Sequence, residues 1–252
     1  MVSTGKTPIV FILSWERPLY LWACLDSLYH TTKVPCRFVL VDNASADPLV
    51  GRIIDSFEAR GMFHRVHRRS SNEPSAMTEV LALYAGELGN YFGFVESDVI
   101  VLPSVPCWLE EFQRLVALDP QLGMLGSLVD KRDFIDPRWV AEHFTGLSQE
   151  KIDFLIKAKS VERGLADEYA EPLIDPFNPP GRLLYLKTEA VQKIGLIRDT
   201  KLYEGMQLNG YKGAIATRVR HRHLSLANIF DYPEQDRELR EKFFRQVTRG
   251  KP

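Results

Sequence analysis

The sequence predicts an α/β fold with a mostly parallel central sheet flanked by helices. Three observations lead there. Through residues 8–103, apolar runs of strand length alternate with helically spaced segments, in the order strand, helix, strand, helix, strand, helix, strand. Alternation of this kind implies parallel strands joined by right-handed crossovers. The first run, PIVFILS from Pro8 to Ser14, is apolar on both faces, as a strand covered by helices on both sides must be. Polar clusters then follow three of the runs, at 14–17, 42–45 and 96–98. Those are the carboxyl ends of the strands, where open α/β sheets take their ligands.

The elements follow in order. After Ser14 come Trp15, Glu16 and Arg17, and Pro18 opens a helix in which Leu21, Leu25 and Leu28 recur at helical spacing. Arg37 to Val41 is the second strand, running into the turn-forming Asp42, Asn43, Ala44 and Ser45. Pro48 opens the next helix, with Ile53, Ile54 and Phe57 as its buried stripe and Gly61 at its end. Phe63 to Val66 reads as a third strand and Ser75 to Leu88 as a third helix, with Val80, Leu81, Tyr84 and Leu88 apolar. The stretch YFGFVESDVIVLP, Tyr91 to Pro103, is the fourth strand and the centre of the chain. Successive residues of an extended chain alternate faces, so extension through Val95 to Val99 puts Glu96 and Asp98 on one side. Two carboxylates there repel and lose hydration, which a divalent cation offsets; the alternative is a solvated strand end with two surface acids.

Beyond Pro103 the alternation breaks. Trp108 to Leu118 is helical, with Phe112 and Leu115 inward, and Gly123 to Leu128 is a strand. Residues 130–180 form an irregular, loop-rich half with a short helix after Asp136-Pro137, a longer one from Ser148 to Arg163, and a proline-rich stretch at 172–180. Such a half shapes a binding site or a lid. Leu183 to Leu186 is a strand, Thr188 caps a short helix ended by Gly195, and Asp199 to Asn209 is helical. Tyr211 to Leu224 is extended. Within it TRVRHRHL alternates strictly, with Arg218, Arg220 and Arg222 on one face and Val219, His221 and His223 on the other. Two histidines facing inward with Val219 are either packed core residues or ligands for a metal or phosphate. Residues 233–252 form a charged amphipathic helix with Leu239, Phe243 and Phe244, which packs on its own domain or offers a peripheral membrane contact.

Composition sets the class. The chain has 252 residues, 45% hydrophobic and 26% charged, with net charge −1. That is ordinary for a soluble domain and gives no field suited to nucleic acid. Three widely spaced cysteines, Cys24, Cys36 and Cys107, fit neither a disulfide framework nor a zinc site and point to a reducing, cytoplasmic setting. No apolar run has the length of a membrane span, and the N-terminus has no signal-peptide pattern.

Taken together, S-W-E-R after an apolar strand, then VLVDNAS, then FVESDVIVLP resembles the GT-A glycosyltransferases, and most closely the inverting family 2 enzymes. The resemblance covers residues 8–225. It implies one GT-A domain, with a nucleotide-sugar half at 1–103, an acceptor half at 104–230 and a tail at 231–252. It implies nucleotide contacts from Ser14, Glu16, Arg17, Asp42, Asn43, Glu96 and Ser97. Asp98 and Glu96 would hold Mn²⁺ or Mg²⁺ on the diphosphate, with His221 or His223 completing the site. In the family a Glu-Asp pair about eleven residues before a Gly-Tyr supplies the base; here that spacing lands on Arg198-Asp199 before Gly210-Tyr211, and the glutamate is missing. Asp199 and Glu204 are therefore the two candidates. The reaction implied moves a sugar, UDP-linked in the first instance, to a glycan, lipid-linked or protein acceptor. Two other readings stay open: a nucleotidyltransferase, although SWERPLY lacks that class's glycine-rich loop, and a silent nucleotide-sugar-binding protein of the same fold. The basic run His64, Arg65, His67, Arg68, Arg69 is a phosphate contact or a solvated loop.

Overall fold

In the computed structural model, residues 6–130, 148, 150, 169–176, 180–195 and 199–224 are described. The order is β1 (Ile9–Ser14), α1 (Pro18–Thr31), β2 (Arg37–Asp42), α2 (Pro48–Ala59), β3 (Phe63–Arg68), α3 (Ala76–Leu83), β4 (Tyr91–Glu96), β5 (Val99–Val101) and α4 (Trp108–Leu118). Then come β6 (Leu122–Val129), β7 (Leu173–Ile174), β8 (Leu183–Lys187), α5 (Thr188–Ile194), α6 (Asp199–Leu208) and β9 (Lys212–His223). The chain divides into two units, residues 1–128 with 168–221 and residues 129–167 with 222–252. The expected helices after Asp136-Pro137 and at 148–163, and the C-terminal helix, lie outside the described residues, apart from isolated positions.

The strands form one sheet in the order β3-β2-β1-β4-β8-β6-β9-β5, with β7 paired to β9. The four strands β3, β2, β1 and β4 run parallel. β8 is antiparallel to both β4 and β6. The sheet is therefore mixed but mostly parallel on its amino-terminal side, as the alternation predicts.

Two-sided burial explains the apolar runs. Along β1, Val10 and Ile12 join one core with Leu21, Leu25 and Leu28 of α1, Ile54 and Phe57 of α2, and Trp108 and Phe112 of α4. Ile9 and Phe11 join the opposite core with Met77 and Val80 of α3, Val191 of α5, and Leu202 and Met206 of α6. Each fully buried large side chain contributes roughly 1.5–3 kcal/mol of transfer free energy. Trp108 satisfies its indole N–H by donating to Thr32 Oγ1 at 2.9 Å. Helix starts follow the same local logic. Asp47 caps α2 by accepting from the Leu49 N–H at 2.8 Å, and Gly61 after α2 has φ +71°, which a glycine takes without steric cost.

Three local expectations are corrected. The third helix ends at Leu83, and residues 84–88 form turns; Tyr84 and Leu88 are buried all the same. Thr188 does not cap α5, because its hydroxyl donates across to the Gly89 carbonyl at 2.6 Å. The chain is not extended through Val95 to Val99: β4 stops at Glu96, a turn holds Ser97 and Asp98, and β5 begins at Val99. Strand alternation therefore does not put Glu96 and Asp98 on one face. Among the described residues, no helix is long and apolar enough to cross a membrane.

Candidate donor site at the sheet edge

Main-chain hydrogen bonds gather the three polar clusters at the carboxyl edge of the parallel strands. Ser14 lies beside Asp42 in the β1–β2 register, and Leu13 beside Glu96 in the β1–β4 register. The Asn43 N–H donates to the Ser14 carbonyl at 2.8 Å, and the Ser97 N–H to the Leu13 carbonyl at 3.0 Å. Ser14, Asp42, Asn43, Ser97 and Asp98 are all buried. Among the described residues the Ser14 hydroxyl is buried without a hydrogen-bond partner.

The first two clusters brace one another. Glu16 has φ +53° and Arg17 φ +56°, left-handed backbone in two consecutive non-glycine residues. Glu16 accepts from the Ala46 N–H at 2.7 Å and the Asp47 N–H at 3.1 Å, one per carboxylate oxygen. Its own N–H donates to Ser45 Oγ at 2.7 Å, and Ser45 Oγ donates to Asp42 Oδ1 at 2.5 Å. Glu16 thus holds the loop after β2. Asn43 holds the loop after β3: its Nδ2 donates to Asn72 Oδ1 at 2.5 Å and to the Glu73 carbonyl at 3.1 Å, while its Oδ1 accepts from the Glu73 N–H at 3.2 Å. Glu16→Ala removes the acceptor of two main-chain donors that water can reach, at a net cost of about 0.5–1.5 kcal/mol. The expected result is a lower melting temperature together with weaker nucleotide binding; a variant as stable as wild type that loses binding alone would make Glu16 a direct contact.

The two acids of the third cluster have separate partners. Asp98 lies on the turn with its Oδ2 3.8 Å from Arg17 Nη1. Its charge also reaches Cys24 on α1, whose thiol is pushed up, first by burial and then by Asp98. Glu96 pairs with Arg182, the residue before β8. Arg182 is the site residue that the sequence reading misses. It sits far along the chain, and only antiparallel β8 brings it to this edge.

The remaining predicted residues are placed as follows. Val219, His221 and His223 are buried along one face of β9, while Arg218 is exposed, so the alternation is as read. His221 Nδ1 lies 2.7 Å from Ser127 Oγ, which also donates to the Leu183 carbonyl at 3.4 Å. With its one proton on that carbonyl, Ser127 accepts from His221 Nδ1–H. Asp199 is the first residue of α6, and Glu204 is exposed on it. The basic run is engaged locally: Arg68 with Asp55 and Glu58, Arg69 with Glu79, His67 with the Tyr84 hydroxyl.

Among the described residues, no three His, Cys, Asp or Glu side chains converge on a metal-sized site. One carboxylate plus substrate phosphates is nonetheless a common way to hold Mg²⁺. Asp98 fits that pattern. Glu96 fits it less well, because Arg182 already offsets its charge.

No protein-family model matches the chain, and no curated protein matches it by sequence. Solved structures do match in fold. GalNAc-T7 with UDP, GalNAc and Mn²⁺ superposes with TM-score 0.58 at 15% identity, over 88% of this chain and 44% of that one. The mannosyltransferase PcManGT from Pyrobaculum calidifontis, with GDP-Man and Mn²⁺, gives 0.58 at 14% identity, over 99% and 66%. Glucosyl-3-phosphoglycerate synthase from Mycobacterium tuberculosis, with Mn²⁺, UDP and glucosyl-3-phosphoglycerate, gives 0.50 at 12% identity, over 97% and 81%. The chain spans less than half the length of the first and about two thirds of the second. Parallel strands β1 to β4, the antiparallel β8 inserted beside β4 and these superpositions together identify the fold of the chain as that of the GT-A glycosyltransferases.

Proposed function

We propose that the protein is a glycosyltransferase that moves a sugar from a nucleoside-diphosphate sugar, in the first instance UDP-linked, to an acceptor hydroxyl with inversion. The observation that supports this most is the gathering of buried Ser14, Asp42, Asn43 and Ser97 at one edge by main-chain bonds and strand register, with buried Asp98 next to Ser97 on the turn. Three solved structures of this fold contain UDP or GDP-Man together with Mn²⁺, which favours a nucleoside-diphosphate-sugar donor at that edge over the nucleoside triphosphate of a nucleotidyltransferase.

In this reading the residues take the following roles. Ser14 and Asp42 meet the nucleoside, with Asn43 and Glu16 holding the loops around it. Asp98 would hold Mn²⁺ or Mg²⁺ with the diphosphate, and His221 would be the candidate nitrogen ligand. The cation supplies neutralisation of charge on the departing diphosphate. Arg17 adds a fixed positive charge 3.8 Å from Asp98. Asp199 accepts the proton of the acceptor hydroxyl as that oxygen attacks the anomeric carbon. The acceptor is a glycan, a lipid-linked sugar or a protein, bound by the acceptor half.

The test is a panel of UDP- and GDP-sugars scored for thermal shift and for release of nucleoside diphosphate, with and without Mn²⁺. Mn²⁺-dependent stabilisation by one donor and its slow hydrolysis are expected. Stabilisation without any turnover, with acceptors supplied, leaves a binding protein; no response to any donor removes the reading.

A further inference from the structure

We propose that Arg182 is a phosphate-binding cation of the donor site and that Glu96 is its positioning carboxylate, so that the two acids of Glu96-Ser97-Asp98 serve different partners. The proposal rests on the reading of this edge as a nucleoside-diphosphate-sugar site.

Topology brings Arg182 there. β8 runs against β4, with Leu183 beside Val95. The carboxyl end of β4 therefore meets the amino end of β8, and the residue just before β8 joins the edge at which β1, β2 and β4 finish. The Glu96 N–H donates to the Arg182 carbonyl at 2.8 Å. The Glu96 carboxylate pairs with the Arg182 guanidinium. One residue is thus held by another at two points, main chain and side chain.

Arg182 also sits at φ +72°, in left-handed backbone. For a residue with a Cβ this conformation costs about 1–2 kcal/mol. Glycine adopts it without that cost, and Gly181 is the adjacent residue. The ion pair does not offset the strain. Its two side chains are 32% and 33% exposed, and pairs open to water contribute about 0–1 kcal/mol. Strained backbone of this kind persists at ligand-binding positions. An arginine in that conformation, aimed by a carboxylate along a ligand-binding edge, fits a role in holding an anion. Guanidinium suits this, because its planar fork can meet a carboxylate along one side and a phosphate along another. Asp98, on the turn two residues on, is left as the carboxylate for the divalent cation.

The experiment is calorimetric titration of uridine, UMP and UDP, and the guanosine series, each with and without Mn²⁺. It compares wild type with Arg182→Gly, Arg182→Lys and Glu96→Gln. Glycine accepts the backbone conformation, so Arg182→Gly is expected to keep its melting temperature. It should lose roughly 10- to 100-fold in diphosphate affinity, the range for a hydrogen bond to a charged group. Nucleoside affinity and the enhancement by Mn²⁺ should stay as in wild type. Glu96→Gln shifts diphosphate affinity the same way by less, again with the Mn²⁺ enhancement kept. Wild-type diphosphate affinity in Arg182→Gly overturns the proposal, as does loss of the Mn²⁺ enhancement in Glu96→Gln, which would make Glu96 a metal ligand. If Arg182→Gly fails to fold while Arg182→Lys binds diphosphate like wild type, the residue is structural and the proposal falls. A wild-type protein indifferent to every nucleotide removes the donor-site reading itself.

Discussion

Asp98→Ala abolishes the metal-dependent part of nucleoside-diphosphate binding and lowers sugar transfer by more than about 100-fold, the scale of removing a preorganised charge from an active site. The expectation follows from burial and position. Asp98 is 6% exposed on a two-residue turn that main-chain bonds tie to β1. A carboxylate kept there loses hydration, and the chain compensates it with Arg17 at 3.8 Å. Such an arrangement holds a negative charge ready at one place. Without the carboxylate, Arg17 stays and still attracts phosphate, so some metal-independent affinity survives. Isothermal titration of UDP in the presence and absence of Mn²⁺ reads both parts. An unchanged Mn²⁺ enhancement in the variant would remove Asp98 from the site.

Asp199→Asn lowers turnover by about 100-fold or more at saturating donor, within the range for loss of a general base, and leaves donor binding intact. Glu204→Gln has little effect. The reason lies in α6. Leu202 and Met206 are buried on it and Glu204 is exposed. Asp199 lies at the eleven-residue spacing before Gly210-Tyr211, and Glu204 does not. Steady-state rates for the two variants, with dissociation constants for the donor, separate base from binding. Loss of turnover in Glu204→Gln alone transfers the role to Glu204. Full activity in both places the base elsewhere, or marks the enzyme as retaining.

How much of this was legible in the sequence depends on the range of each signal. Local signals read well: Pro18 and Pro48 open helices, and Val219, His221 and His223 lie on one buried face of β9. The carboxyl edge was legible because each cluster directly follows a strand. The roles inside it were less so. Glu16 and Asn43 sit in nucleotide-binding motifs, but their carboxylate and amide groups are taken up by loop N–H and carbonyl groups some thirty residues away, at Ala46, Asp47, Asn72 and Glu73. Spacing along the chain does not report such distant pairings. The same holds for Arg182, which reaches Glu96 across a separation of 86 positions. The extended reading of Val95 to Val99 failed because a turn at Ser97-Asp98 is as compatible with those residue types as a strand.

The main-chain bonds from Asn43 to Ser14 and from Ser97 to Leu13 have an evolutionary consequence. Main-chain bonds do not depend on which side chain a residue carries. The path of the edge at these points is therefore insulated from substitution, and the side chain at 14 can be exchanged without breaking the bond that Asn43 makes to it. For redesign, the economical course is to vary position 14 and leave Glu16, Asp42 and Asn43, the side chains that fix the neighbouring loops, untouched.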